Sequence, residues 1–162
     1  MIEDSCTSQK LWDLAFMAEP EEVAALRRFT GLHLEAWGLG QLIDEAQLCV
    51  SELVANVITH VGPGTPARLV ISVSGTHVRI EVHDPDTRAL PILLDATSDA
   101  ENGRGMALVG AITARWGVQL LADRKVTWCE LEAGLPTAHG NQGGAQASKQ
   151  HAPWSCYPCK KA

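Results

Sequence analysis

The sequence predicts an α/β two-layer sandwich, a single sheet with helices packed on it. Two observations predict this. Long segments carry apolar residues at helical spacing with polar residues on the opposite side. Shorter segments alternate apolar and polar residues, so each offers one face to a core. A length of 162 residues adds the expectation of a single folded unit.

Residues 11–17, Leu-Trp-Asp-Leu-Ala-Phe-Met, read as a first strand. Pro20 then suits the first position of a helix, with Glu21 and Glu22 in the first turn, where the helix dipole favours anions. Val23, Leu26, Phe29, Thr30 and Leu34 keep helical spacing up to Gly38. Gly38 and Gly40 break the chain, and a second helix is expected from about Gln41 to Val61. At 100° per residue, Val50, Leu53, Val54, Val57 and Val61 fall on its apolar face. Glu45, Glu52, Asn56, Thr59 and His60 fall on the adjacent stripe. No Lys or Arg lies between Arg28 and Arg68, so the carboxylates of this helix have no local basic partner in sequence.

Gly62-Pro63-Gly64-Thr65-Pro66 is a turn cluster. Residues 67–74 and 76–83 read as strands joined at Gly75, the second alternating cleanly. Residues 85–104 are long for an idle connection, as lids and binding loops are. A third helix is expected from Gly105 to about Trp116, then a hairpin of 117–122 and 126–132. From Gly134 the composition turns to Gly, Gln, Ala and Ser, so 134–162 reads as a disordered tail and 1–10 as a flexible N-terminus.

A net charge of −6 without a basic patch argues against direct nucleic-acid binding. No apolar run is long enough to cross a bilayer. Met1-Ile2-Glu3-Asp4 is acidic, unlike a secretory signal, so the cytoplasm is the expected compartment. The five cysteines are odd in number and scattered, which does not suit a disulfide framework. Cys49 and Cys129 fall in core patterns. Cys156 and Cys159 supply two zinc ligands where four are needed.

The chemistry lies in three places. Glu52, Asn56 and His60 are four apart and stack on one helical face. An Asn oxygen there can join substrate phosphates around Mg2+, an ion that takes few protein ligands. A Glu one turn earlier can take a proton from an attacking hydroxyl. Asp84 ends a strand, where its carboxylate can accept from an exocyclic amine such as that of adenine; an Asx turn into Pro85 is the ordinary alternative. Gly103-Arg104-Gly105 opens a helix whose free amides and dipole favour phosphate. Each pattern alone is common on solvated surfaces and at loop junctions.

Their order is more specific. Glu-Leu-Val-Ala-Asn-Val-Ile-Thr-His at 52–60, Val-His-Asp at 82–84, Gly-Arg-Gly-Met-Ala-Leu-Val at 103–109, Arg-Trp-Gly-Val at 115–118 and Lys-Val-Thr-Trp-Cys-Glu-Leu at 125–131 follow in turn. Together they resemble the histidine-kinase-like ATPase superfamily, the Bergerat ATP-binding fold. The likeness is greatest to its small branch of actinobacterial anti-sigma-factor serine/threonine kinases, and it covers about residues 11–132 of the expected domain, 11–133. It implies a mixed, mostly antiparallel sheet covered on one face by three helices, with ATP between helices and lid. It assigns Glu52 as general base, Asn56 to Mg2+ and Asp84 to the adenine amine. Gly103, Arg104, Gly105 and the adjacent Met106 fall to the phosphate loop. His60 matches a common position without an assigned role.

Two departures stand out. Asp86 replaces a usual glycine and puts a negative charge near the nucleotide. Relatives often read Lys-Thr-Val-Trp in the last strand, where this chain has Lys125-Val126-Thr127-Trp128. A one-residue shift is expected to turn Thr127, the candidate adenine contact, to the other sheet face. The resemblance further implies a kinase acting on a small antagonist protein, a sigma factor as partner, and allows a homodimer. The rival within the same fold is a non-catalytic module that holds ATP or a partner. A detached histidine-phosphorylating sensor domain is disfavoured, because residues 1–10 have no room for a dimerisation helix pair.

Overall fold

The computed structural model describes residues 9–88 and 104–134. Strand β1 spans Lys10–Ala18 and helix α1 Pro20–Ala36. A single 3-10 turn, Gly40–Leu42, leads into helix α2, Ile43–His60. Strands β2, Thr65–Ser74, and β3, His77–Asp84, follow. Helix α3, Arg104–Ile112, precedes β4, Arg115–Leu120, and β5, Lys125–Glu132. The sheet order is β1-β2-β3-β5-β4. All four pairings are antiparallel, so the expected mixed sheet has no parallel pair among the described residues.

Alternation decides which face is covered. Leu69, Ile71, Val78, Ile80, Val82, Cys129 and Leu131 are buried in one core with Leu26, Leu34, Ala46, Cys49, Val50, Leu53 and Val54 of the helices. These strand residues share one face by register: Ile71 opposes Ile80, which opposes Cys129. Helix α2 lies along β1, β3 and β5, with α1 beside it and α3 against α2 and β4. Cys49 and Cys129 are both fully buried, as their patterns predict. Contact with Cys49 and burial push the Cys129 thiol far up, so it stays protonated as a small core residue.

Two glycines fix chain reversals. Gly38 has φ +75° directly after α1, and Leu39 N–H donates to Leu34 O at 2.8 Å. That is the left-handed helix cap that a side chain would strain. Gly75 has φ +58° in the two-residue turn between Ser74 and His77, which pair. Pro66 opposes Met17 but lies beyond the β2–β3 register, so its missing N–H costs no bond on that side.

Helix α3 ends earlier than its apolar spacing predicts. Thr113 Oγ1 donates to Val109 O at 2.7 Å, and Ala114 N–H donates to Glu130 O at 2.9 Å. Pairing with β5 takes over from there, so Trp116 is a strand residue opposite Cys129, not a helical one. Its indole stands against Gly110, where an added Cβ would lie 2.9 Å from Nε1.

Candidate nucleotide site

Helix α2 presents Glu52 and Asn56 half-buried on one side while Leu53, Val54 and Val57 go into the core. The polar pair is therefore held by the packing of its neighbours. His60 stands one turn beyond, in the last turn of α2. Glu52 reaches α3. A Cβ added at Gly105 would lie 2.2 Å from Glu52 Oε2 and 3.3 Å from its Cδ. Only a glycine lets the carboxylate come this close to the backbone. The first turn of α3 carries amides without intrahelical partners and the positive end of the dipole. Glu52 thus sits where a phosphate would be attracted. Met106, next in that turn, has its side chain in the core. Gly103, the side chain of Arg104 and the rest of the expected lid, 89–103, lie outside the described residues, as do 1–8 and 135–162 with Cys156 and Cys159.

Asp84 ends β3 and is 2% exposed. Its two oxygens do different things. Oδ1 accepts the Asp86 backbone N–H at 2.9 Å, the Asx turn that Asp-Pro favours. Oδ2 is buried and has no hydrogen-bond partner among the described residues. A buried acceptor is normally satisfied, so an orphan oxygen marks a place for a donor from a ligand. Burial pushes the Asp84 carboxyl up, although the Asp86 N–H and Lys125 pull it down.

Lys125 opens β5 directly opposite Asp84 and is equally buried. Its Nζ lies 3.5 Å from Asp84 Oδ1 and 3.7 Å from Asp86 Oδ2. Asp86 is further met by Arg88, whose Nε donates to Oδ1 at 2.7 Å and Nη2 to Oδ2 at 3.2 Å. Arg88 and, less strongly, its backbone N–H and Lys125 hold the Asp86 carboxyl at about 2. The acidic departure is therefore a paired carboxylate and not a free negative charge.

The expected orientation of Thr127 is overturned. Because Lys125 pairs with Asp84, the odd-numbered residues of β5 take the helix-covered face. Thr127 opposes Val82, is buried, and lies between Lys125 and Cys129 on that face. Local reading of a one-residue shift could not supply this register. Trp128 goes to the outer face instead, with the Arg79 guanidinium 4.1 Å from its ring. Arg79 also meets Glu81 at 2.5 Å and Glu130 at 2.9 Å, and Arg115 meets Glu130 at 2.6 Å. Burial raises Glu81, but His83 and Arg79 outweigh it and hold that carboxyl below the usual range. This network ties β3, β5 and β4 together on the face away from Asp84.

One sheet face thus gathers a buried, half-satisfied Asp84, a buried Lys125 and Thr127, beneath a helix whose Glu52 touches the start of α3. The model of the histidine kinase-like ATPase domain matches residues 16–127. The chain belongs to this family. An uncharacterised protein of Streptomyces coelicolor is 46% identical to this chain over 90 residues, covering 54% of this chain and 84% of that protein. The matched span of the family contains Glu52, Asn56, Asp84, Gly105, Lys125 and Thr127.

Sequence reasoning missed Lys125 and Arg88. The period-two run Lys125, Thr127, Cys129, Leu131 was the available signal, since it puts a lysine on the core face of β5. What lies opposite that lysine is a matter of register, which no local pattern specifies.

Proposed function

We propose that the protein binds ATP with Mg2+ and works as a regulatory serine/threonine kinase of the anti-sigma-factor type. In this reading it transfers the γ-phosphate to a hydroxyl of a small antagonist protein and also engages a sigma factor. The observation that carries the reading is the contact of Glu52 with the first turn of α3. A general base is there held at the phosphate end of the site, while the orphan oxygen of Asp84 waits at the base end.

The roles follow from chemistry. Asp84 Oδ2 accepts an N–H of the adenine amine. The amides opening α3 hold phosphate, with Arg104 adding charge. Asn56 gives its side-chain oxygen to Mg2+, which supplies charge neutralisation between the phosphates. Glu52 accepts the proton of the attacking hydroxyl. Phosphoryl transfer asks little more of a protein than such positioning and charge. Asp86 and the shifted Thr127 are the two features that favour a merely sequestering module. The pairing of Asp86 with Arg88 and Lys125, and the burial of Thr127 on the face of Asp84, support the kinase reading against it. Among the described residues no helix is long and apolar enough to cross a membrane.

Incubation with γ-labelled ATP, Mg2+ and a candidate antagonist tests the reading. Label should pass to a Ser or Thr of the antagonist and fail to pass with Glu52→Ala. ATP binding without transfer to any antagonist of the native cell would leave the sequestering module in its place. No nucleotide binding at millimolar ATP would end both.

A further inference from the structure

Lys125 has no part in the roles above, yet it is a fully buried ammonium at the base end of the site. Burying such a charge is costly unless it is paired. Its partners are the two carboxylates Asp84 and Asp86, both buried. Asp86 already has Arg88, at 2.7 Å. The partner that Lys125 leaves changed is Asp84. Both the ammonium and the Asp86 N–H lie on the Oδ1 side, at 3.5 Å and 2.9 Å. Among the described residues, Oδ2 of Asp84 is left without a donor.

We infer that Lys125 is a specificity-determining residue of the nucleotide site: by engaging Oδ1 of Asp84 it leaves one ionised, buried oxygen that selects a base offering a single N–H to it. The inference rests on the ATP-binding reading of this site and adds the device that sets its choice of base. A carboxylate with both oxygens free would suit the paired N1–H and N2–H of guanine. A carboxylate with one free oxygen has no use for the second donor. Without Lys125 the buried carboxyl would take up a proton more readily, since burial already pushes it that way. A protonated Oδ2 donates where it formerly accepted. It would then lose its preference for an amine.

The test uses the full chain and calorimetry with three pairs of measurements in Mg2+. Wild type should bind ATP at least about tenfold more tightly than purine riboside 5′-triphosphate, which lacks the exocyclic amine; tenfold is the modest end for one charged hydrogen bond. Lys125→Met should bring the two affinities within about twofold of each other, and Lys125→Arg should restore the preference. A lysine that merely supports the fold would weaken both ligands alike and leave their ratio intact. An unchanged ratio in Lys125→Met therefore overturns the inference while the ATP reading stands. Absence of binding by wild type fails the ATP reading itself. Should Lys125→Met not fold, wild type still decides: guanosine triphosphate should bind no better than inosine triphosphate, because the extra N2–H finds no second oxygen. A clear gain from that amine would show both oxygens free and overturn the assignment.

Discussion

Replacing Gly105 by Ala tests the Glu52 contact directly. The new Cβ would lie 2.2 Å from Glu52 Oε2, where an ordinary contact needs at least 3.4 Å. The carboxylate must therefore retreat by about 1.2 Å, the difference between those two distances. The fold should tolerate this, because the atom that moves is the end of a flexible side chain. Ala in place of Gly in a helix even favours it, by roughly up to 1 kcal/mol. Catalysis should not tolerate it. A misplacement of about 1 Å costs on the order of 10² in rate, which is about 2.7 kcal/mol in the barrier. Loss of the base altogether, in Glu52→Ala, should cost about 10² to 10⁴. The assay is single-turnover transfer of labelled phosphate to the antagonist, with melting temperature and ATP affinity measured in parallel. Gly105→Ala should be slow yet folded. Combined with Glu52→Ala it should cost nothing further, because residues acting through one interaction are not additive. A wild-type rate in Gly105→Ala would refute the positioning argument. So would an undiminished effect on the Glu52→Ala background, which would place the damage in the phosphate amides instead.

Other outcomes follow from the base end and from the domain edge. Asp84→Asn removes a charged acceptor, which is worth about 1.5–3 kcal/mol, so ATP affinity measured by calorimetry should fall roughly 10- to 150-fold; unchanged affinity would place adenine elsewhere. Carboxyl NMR should find Asp86 titrating at about 2, below its ordinary 3.8, and Arg88→Met should move it back up. Because its folded pKa is depressed, Asp86 supports the fold above about pH 4, and that support is lost as pH falls from there to about 2. Asp84 has the opposite sign: its pKa is raised, so its ionisation weakens the fold as pH climbs above 3.8. A chain ending at Leu135 should match the full chain in melting temperature and ATP affinity, since Ala133 N–H, bonded to Thr76 O at 2.8 Å, closes the sheet just before it. A lower melting temperature, or stoichiometric zinc in the full chain, would make the cysteine-bearing end structural.

Much of the fold was legible because the signals are local. Pro20, the apolar face of α2 and the alternation of β3 each state their own element, and those elements lie within a few residues of expectation. The end of α3 was not legible for the same reason. Its apolar spacing runs on to Trp116, but Ala114 N–H finds Glu130 O, a partner outside any local window. Tertiary pairing overrides propensity at such points.

The site divides along the same line. Glu52 and Asn56 share a helix, so spacing alone sets them on one face. Asp84 and Asp86 share a turn, so the Asx bond could be foreseen, and it forms. What spacing could not say is that the turn uses only one oxygen, or that the other would be buried without a donor among the described residues. That depends on β5 sliding into a register that sets Lys125 opposite Asp84. The same register turns Thr127 toward the core and Trp128 onto Arg79, so one pairing decides three side chains at once. A shift of one residue that put Val126 opposite Asp84 would turn Lys125 to the other face of the sheet and take its ammonium from Asp84. The ion pair and the register therefore support each other. Breaking Lys125 should disturb the base end of the site well before it disturbs the remainder of the sheet.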